Sequence, residues 1–260
     1  MVIYEGKTPY RGQDGGGRTI RAIVTGLGTP SANKKTGAMG QLWILDKELS
    51  PVEARRQGLD GSYCGSCSHR SKNWRSYFFD VIRMIKRRSF PCYVRSEQGA
   101  TQTWKTHQHQ GSRSLGASEI NDLRRQGVRL GALGDPSMLK ESVIKLLTRV
   151  ASEWIPNNYT GYTQFWSLKR NQWLRRYCMA SCETLEQVRR ARDLGWRVFY
   201  SRQDGEALPA GFTQCPAAIE AGQRTTCQRC LLCNGVTSER DRRASISTVV
   251  HGYGRKVSPL

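Results

Sequence analysis

The chain has no run of about eighteen apolar residues, which excludes a membrane-spanning helix of ordinary length. Residues 1–17 are polar and glycine-rich with no seven-residue apolar stretch, so they are not expected to act as a secretory leader. Acidic residues are scarce: 21 Asp and Glu stand against 41 Lys and Arg, a formal net charge of +20. No paired-carboxylate signature stands out, so a two-carboxylate acid–base mechanism has no obvious members. Three common motifs are also missing. No Gly directly precedes Lys34 or Lys35 in the basic loop near residue 35, so the loop is not a P-loop. No Gly-rich dinucleotide fingerprint follows a predicted strand, and no G-x-S-x-G elbow occurs.

What the chain does have is cysteine, positive charge and a regular alternation of elements. With 260 residues and 38% hydrophobic content it can bury a core of its own. Disulfide staples are therefore unnecessary, and nine cysteines leave at least one unpaired in any disulfide scheme. A reducing cytoplasm is the expected compartment; there clustered cysteines are more often metal ligands or reactive thiols than crosslinks. The charge is the footprint of a phosphate-rich partner, DNA or RNA first, with an anionic membrane surface a weaker choice and plain solubility the bland alternative.

Apolar runs near residues 20–25 and 41–46 read as two strands joined by the basic loop. Residues 72–88 place Trp74, Phe78, Val81, Ile82 and Ile85 at helical spacing, with Lys72, Arg75, Lys86, Arg87 and Arg88 available for phosphate contact. From about residue 117, helices of ten to eighteen residues alternate with short strands, the pattern of parallel βαβ units. The fold class expected is α/β, an incomplete (β/α) barrel-like parallel sheet with an N-terminal β extension and Cys-rich loops; an open doubly wound sheet fits the same pattern. Two regions are expected within one integrated domain: 1–115, carrying the first cysteines and the basic helix, and 116–260, carrying the βα units and the last cysteines. In either architecture ligands sit at the carboxyl ends of the strands, here marked by Asp135, Trp166, Ser181, Cys182, Arg202 and His251. Of these, Asp135, Cys182 and His251 are the candidate catalytic groups. "GDP" at 134–136 also reads as a simple turn with Pro136 opening a helix.

The cysteines fall into three groups. Cys227, Cys230 and Cys233 form a C-x2-C-x2-C run, with Cys215 one loop earlier; this spacing converges thiolates on one point and suits an iron–sulfur cluster such as 4Fe-4S first, zinc second. Cys64 and Cys67 form a C-x2-C that Cys92 completes, with His69 or a cysteine of the other group as a possible fourth ligand; small buried hydrophobes are the alternative. Cys178 and Cys182 read as one buried strand residue and one facing the site. Two further patterns stand outside these groups. His107 and His109, two apart, would share one face of a strand as in a rolling-circle nuclease, with Tyr159 or Tyr162 as nucleophile. Trp166, Trp173 and Tyr177 interleave with Lys169, Arg170, Arg175 and Arg176, which suits base stacking with phosphate contact, or ordinary core packing.

Several stretches together, "KTGAMGQLWIL", "CGSCSHR" with a later "CYV", "GYTQFW", "RYCMASCETLEQVRRARDLGWRVF", "CPAAIEAGQRTTCQRCLLCNG" and "SISTVVHG", resemble a family of uncharacterised cysteine-rich proteins of bacteriophages and other mobile elements. The C-x2-C followed by Cys-Tyr is also similar to phage proteins regarded as relatives of the radical S-adenosylmethionine barrels, although Leu185 stands where such an enzyme would place a third cysteine after Cys182. The resemblance implies a mobile-element setting and carries no established activity. The reading that unites these features is a metal-binding protein associated with nucleic acid. The alternatives are a zinc-stabilised binding module and a replication nuclease.

Overall fold

The computed structural model describes residues 1–29, 33–70, 92, 94 and 96–250. The basic helix expected at 72–88, with Lys72, Arg75, Lys86, Arg87 and Arg88, and the candidate catalytic His251 lie outside the described residues.

Nine strands form one sheet: β1 (Val2–Lys7), β2 (Thr19–Thr25), β3 (Gly40–Asp46), β4 (Val128–Leu133), β5 (Tyr159–Thr163), β6 (Met179–Cys182), β7 (Val198–Arg202), β8 (Phe212–Gln214) and β9 (Ser245–Val249). Their order is β1-β2-β3-β4-β5-β6-β7-β9-β8. The first three strands are antiparallel, and every pairing from β3 onward is parallel. The sheet is open, with β1 and β8 as its edges. The α/β expectation is met, and β1, hidden in a polar stretch, is an addition to it.

The helices follow from periodicity. Helix Glu141–Ala151 buries Ile144, Leu147, Val150 and Ala151, and helix Leu185–Asp193 buries Val188 and Ala191, each set on one face. Thr184 caps the second helix by accepting from the Gln187 N–H (3.2 Å), and Gly195, at φ +75°, takes the left-handed turn that ends it. Helix Pro51–Arg56 opens on a capping box, in which Ser50 Oγ accepts from the Glu53 N–H and the Glu53 carboxylate from the Ser50 N–H.

Alternation along the parallel strands sorts residues onto two faces. Tyr159, Cys178, Ala180, Cys182, Val198 and Tyr200 join the main core, together with Leu123, Ile144, Leu147 and Val188 from the helices. On the opposite face Met179 and Ile246, with Tyr162 and Phe199 beside them, form a smaller core with Cys215, Ala217, Ala218 and Cys233. The last cysteine-bearing segment thus covers one face of the second half of the sheet.

Candidate functional site

At the carboxyl ends of β4 and β5, Asp135 is buried and fully engaged. Its Oδ1 accepts from the Ser137 N–H (2.9 Å) and the Thr163 hydroxyl (2.8 Å), and its Oδ2 accepts from the Gln164 N–H (2.8 Å). Burial raises its pKa against those bonds. The carboxylate caps the 3-10 turn Pro136–Met138 and ties β4 to β5, so the turn reading of "GDP" is the one the geometry carries. Cys182 corrects the sequence expectation. It shares the parity of Cys178 and Ala180 on a strand of period two, so it points into the main core with no exposure, and Ser181 is the residue turned the other way. Burial pushes the Cys182 thiol up to about 12.

The loop carrying Cys64 and Cys67 lies over these strand ends. The Asp135 N–H donates to the Tyr63 carbonyl (2.8 Å), and Gly65, at φ +56°, sits where a Cβ would meet the Phe165 ring at 2.6 Å. Arg70 clamps the loop from the other side, donating from Nε to Asp60 Oδ1 (2.9 Å) and from Nη1 to Asp14 Oδ2 (2.6 Å) and the Gly65 carbonyl (2.5 Å). Cys64, Cys67 and Cys92 lie close enough to raise one another's pKa, and burial pushes Cys67 up to about 12. Main-chain N–H groups two residues on oppose this, that of His69 at Cys67 and that of Val94 at Cys92; so do Arg70 at Cys64 and Arg55 at Cys92. Polar groups gather beside them, of which the sequence reading missed Gln164 and Glu183. His69 Nε2 pairs with Glu183, Gln164 Nε2 donates to the Ser181 hydroxyl (3.1 Å), and the charges of Glu183 and Asp135 act on Cys67. Glu183 directly follows β6, so its place at a strand end was the one signal available.

The second thiol group is separate from the first. Cys215, Cys227, Cys230 and Cys233 line one cavity with Thr160 of β5 and Ile246 of β9. About 10 Å³ of free space lies between them, about the volume one water occupies. The turn Cys227–Cys230 is pinned to the β2–β3 loop, the Cys227 N–H donating to the Lys35 carbonyl (2.8 Å) and the Ala38 N–H to Gln228 Oε1 (3.1 Å). Leu231 takes φ +51°, reversing the chain so that Cys233 returns to the sheet, where its carbonyl accepts from the Gly161 N–H (2.9 Å). Arg197 holds the carbonyls of Leu232 and Asn234, each at 2.8 Å, and Gly235 packs where a Cβ would lie 2.2 Å from the Arg175 carbonyl. Burial raises the thiols of Cys227, Cys230 and Cys233; Arg129 and Lys35 oppose it at Cys227, the Leu232 N–H at Cys230 and the Tyr162 hydroxyl at Cys233. The Thr160 hydroxyl is buried without a hydrogen-bond partner among the described residues. No three His, Cys, Asp or Glu side chains among the described residues are gathered at ligand spacing as they stand, so ligation by either thiol group requires side-chain rotation toward a common centre.

The nuclease arrangement is not assembled. His107 ends the helix Thr101–His107, not a strand; its Nδ1 donates to the Thr103 carbonyl (2.8 Å), and its Nε2 meets the Met1 nitrogen (2.9 Å). His109 lies on the exposed turn beyond it. Tyr159 and Tyr162 sit on β5 facing opposite ways, Tyr159 donating to the Arg176 carbonyl (3.3 Å) and Tyr162 partly buried against the second thiol group. No helix of the described residues is long and apolar enough to cross a membrane. No family model, curated protein or solved structure matches the chain.

Proposed function

We propose that the protein is a metalloenzyme acting on nucleic acid, with Cys64, Cys67 and Cys92 as the working metal site and Cys215, Cys227, Cys230 and Cys233 as a closed structural one. The observation that carries this reading is the placement of the loop bearing Cys64 and Cys67: the Asp135 N–H holds it at the Tyr63 carbonyl over the carboxyl ends of β4 and β5, Arg70 clamps its other side, and His69 pairs with Glu183 at the end of β6. Three protein thiolates leave a coordination position open, the mark of a catalytic site, whereas four close it. Burial raises the Cys67 and Cys92 thiols, and the main-chain N–H groups directed at them oppose that shift.

The fit differs between the two groups. The second group's small cavity suits a single zinc ion held by four thiolates; a four-iron cube would have to open the loop. The first group, of three thiols in a C-x2-C plus one arrangement, suits an iron–sulfur cluster with one iron left for substrate. A metal there supplies Lewis acidity or electrons to a bound substrate. Around it the chain's own residues have defined tasks: Glu183 holds the His69 imidazole, Gln164 and Ser181 offer hydrogen bonds at the strand ends, and Arg70 fixes the loop. The Cys227–Cys230 turn reaches the β2–β3 loop across one face of the sheet, which supports reading the sheet as an incomplete barrel around the second thiol group. The net charge of +20 supports DNA or RNA as substrate, and the family resemblance supports a phage or mobile-element origin and a bacterial cytoplasm as the setting.

Metal analysis of anaerobically purified protein tests the reading. Zinc and iron with sulfide are expected together, with absorption near about 400 nm. Cys64→Ser with Cys67→Ser should remove the iron and the colour and leave the zinc; Cys227→Ser with Cys230→Ser should remove the zinc. A folded wild type free of both metals would overturn it.

A further inference from the structure

A second feature of the molecule shares no lining residue with the cavity of the second thiol group. The 3-10 helix Lys169–Arg176 and the ends of the helices Glu141–Ala151 and Leu185–Asp193 border an open surface cavity of about 700 Å³. Its lining includes Glu141, Gln172, Trp173, Arg175, Arg176 and Asp193. Trp173 is only partly buried, and Tyr177 braces it edge-on, with ring centroids 6.1 Å apart at 62°. Trp166, by contrast, is consumed by the core, where its Nε1 donates to the Ser181 carbonyl (3.0 Å). The interleaved aromatic and basic residues of this stretch therefore divide into one packing ring and one ring left beside a cavity.

The lining balances Arg175 and Arg176 against Glu141 and Asp193, and the exposed residues flanking it add positive charge. Arg170, Arg175 and Arg176 form no ion pair among the described residues. Arg170 and Arg176 are exposed, and so are Lys169 beside them and Arg189 and Arg190 on the outer face of the neighbouring helix. Glu141 and Asp193 are the acids of the cavity's lining, and both are exposed.

We infer that this cavity binds an unpaired nucleotide of a single-stranded nucleic acid, with its base against Trp173 and the flanking phosphates on Arg170, Arg175 and Arg176. The inference rests on the nucleic-acid part of the reading above and is independent of the metals. A base and an aromatic ring stack without regard to sequence, and a basic rim tracks the backbone on either side. Glu141 and Asp193 accept hydrogen bonds from the exocyclic amino groups of a base edge. A duplex keeps its bases stacked inside and cannot present one to Trp173 without extruding it. The rim extends beyond the cavity, which fits a strand and not a free nucleotide.

The test is fluorescence anisotropy of the full-length protein with a fluorescein-labelled, mixed-sequence single strand of about twelve nucleotides, at about 50 and about 200 mM salt. The wild type should bind, more weakly at the higher salt, and unlabelled single strand should compete better than duplex of equal length. Arg170→Glu with Arg176→Glu, both at exposed positions, should weaken binding at least about tenfold. Trp173→Ala should cost about tenfold or more, while Trp173→Phe keeps the packing, retains binding within about threefold and abolishes quenching of tryptophan emission. If Trp173→Ala fails to fold, the charge reversal and the Trp173→Phe quench decide. Wild-type binding that none of these changes would place the strand elsewhere and overturn the site while sparing the nucleic-acid reading. No binding by the wild type at low salt would overturn both.

Discussion

Asp135 shows how a residue at a strand end can serve architecture. Three donors converge on a carboxylate that is almost wholly buried. Asp135→Ala leaves all three without an acceptor and should cost about 3 kcal/mol in urea unfolding followed by tryptophan fluorescence, with Asp135→Asn retaining part of it. Cys182 is the opposite case, a thiol with no polar task. Cys182→Ala should cost about 1 kcal/mol for the lost volume and leave the iron and zinc content unchanged; loss of either metal would return Cys182 to the site. Both residues stood out in the sequence because they follow apolar runs. Their roles were not legible there, since burial depends on which segments cover each face of the sheet, although Cys178 and Cys182, four apart, share one face of any strand that holds both.

At the scale of elements, each thiol loop is held by one glycine in a place no other residue fits. Gly65 faces the Phe165 ring at positive φ, and Gly235 faces the Arg175 carbonyl. Gly65→Ala should lower the iron content while sparing the zinc, and Gly235→Ala should do the reverse, as read by metal analysis of folded protein. The end of β3 carries a pH-dependent tie. Burial would raise the pKa of Asp46, but Arg18 and the N–H groups of Leu49 and Glu48 outweigh it, so the net shift is downward. A carboxylate whose folded pKa lies below its unfolded value stabilises above the ordinary range and loses that contribution as pH falls through the folded value. The stability gap between wild type and Asp46→Asn should therefore shrink from about pH 5 to about pH 2. The βα units themselves were readable, because Ile144, Leu147 and Val188 recur at helical spacing beside Gly195 as a stop. β1 and β8 escaped notice: β1 is a polar edge strand, and β8 is only three residues long.

At the scale of the whole molecule, the Cys227–Cys230 turn connects the loop after β2 to the face of β5 and β9, so a metal there would join distant parts of the chain. Binding energy at such a site is folding energy. A zinc chelator should lower the thermal midpoint of the wild type by several degrees and leave that of Cys227→Ser with Cys230→Ser unmoved. An equal shift in both would assign the effect to another site.

The sequence by itself determined the alternation of strands and helices, the excess of positive charge and the grouping of cysteines, because each depends on residue type and spacing along the chain. Only the tertiary structure decided that the two thiol groups are distinct, that Cys182 is buried and Ser181 turned the other way, and that Trp173, unlike Trp166, borders a cavity. Those outcomes depend on strand register and on which segments meet across the sheet, and contacts between residues 35 and 227, or 63 and 135, leave no mark on the local pattern of either partner.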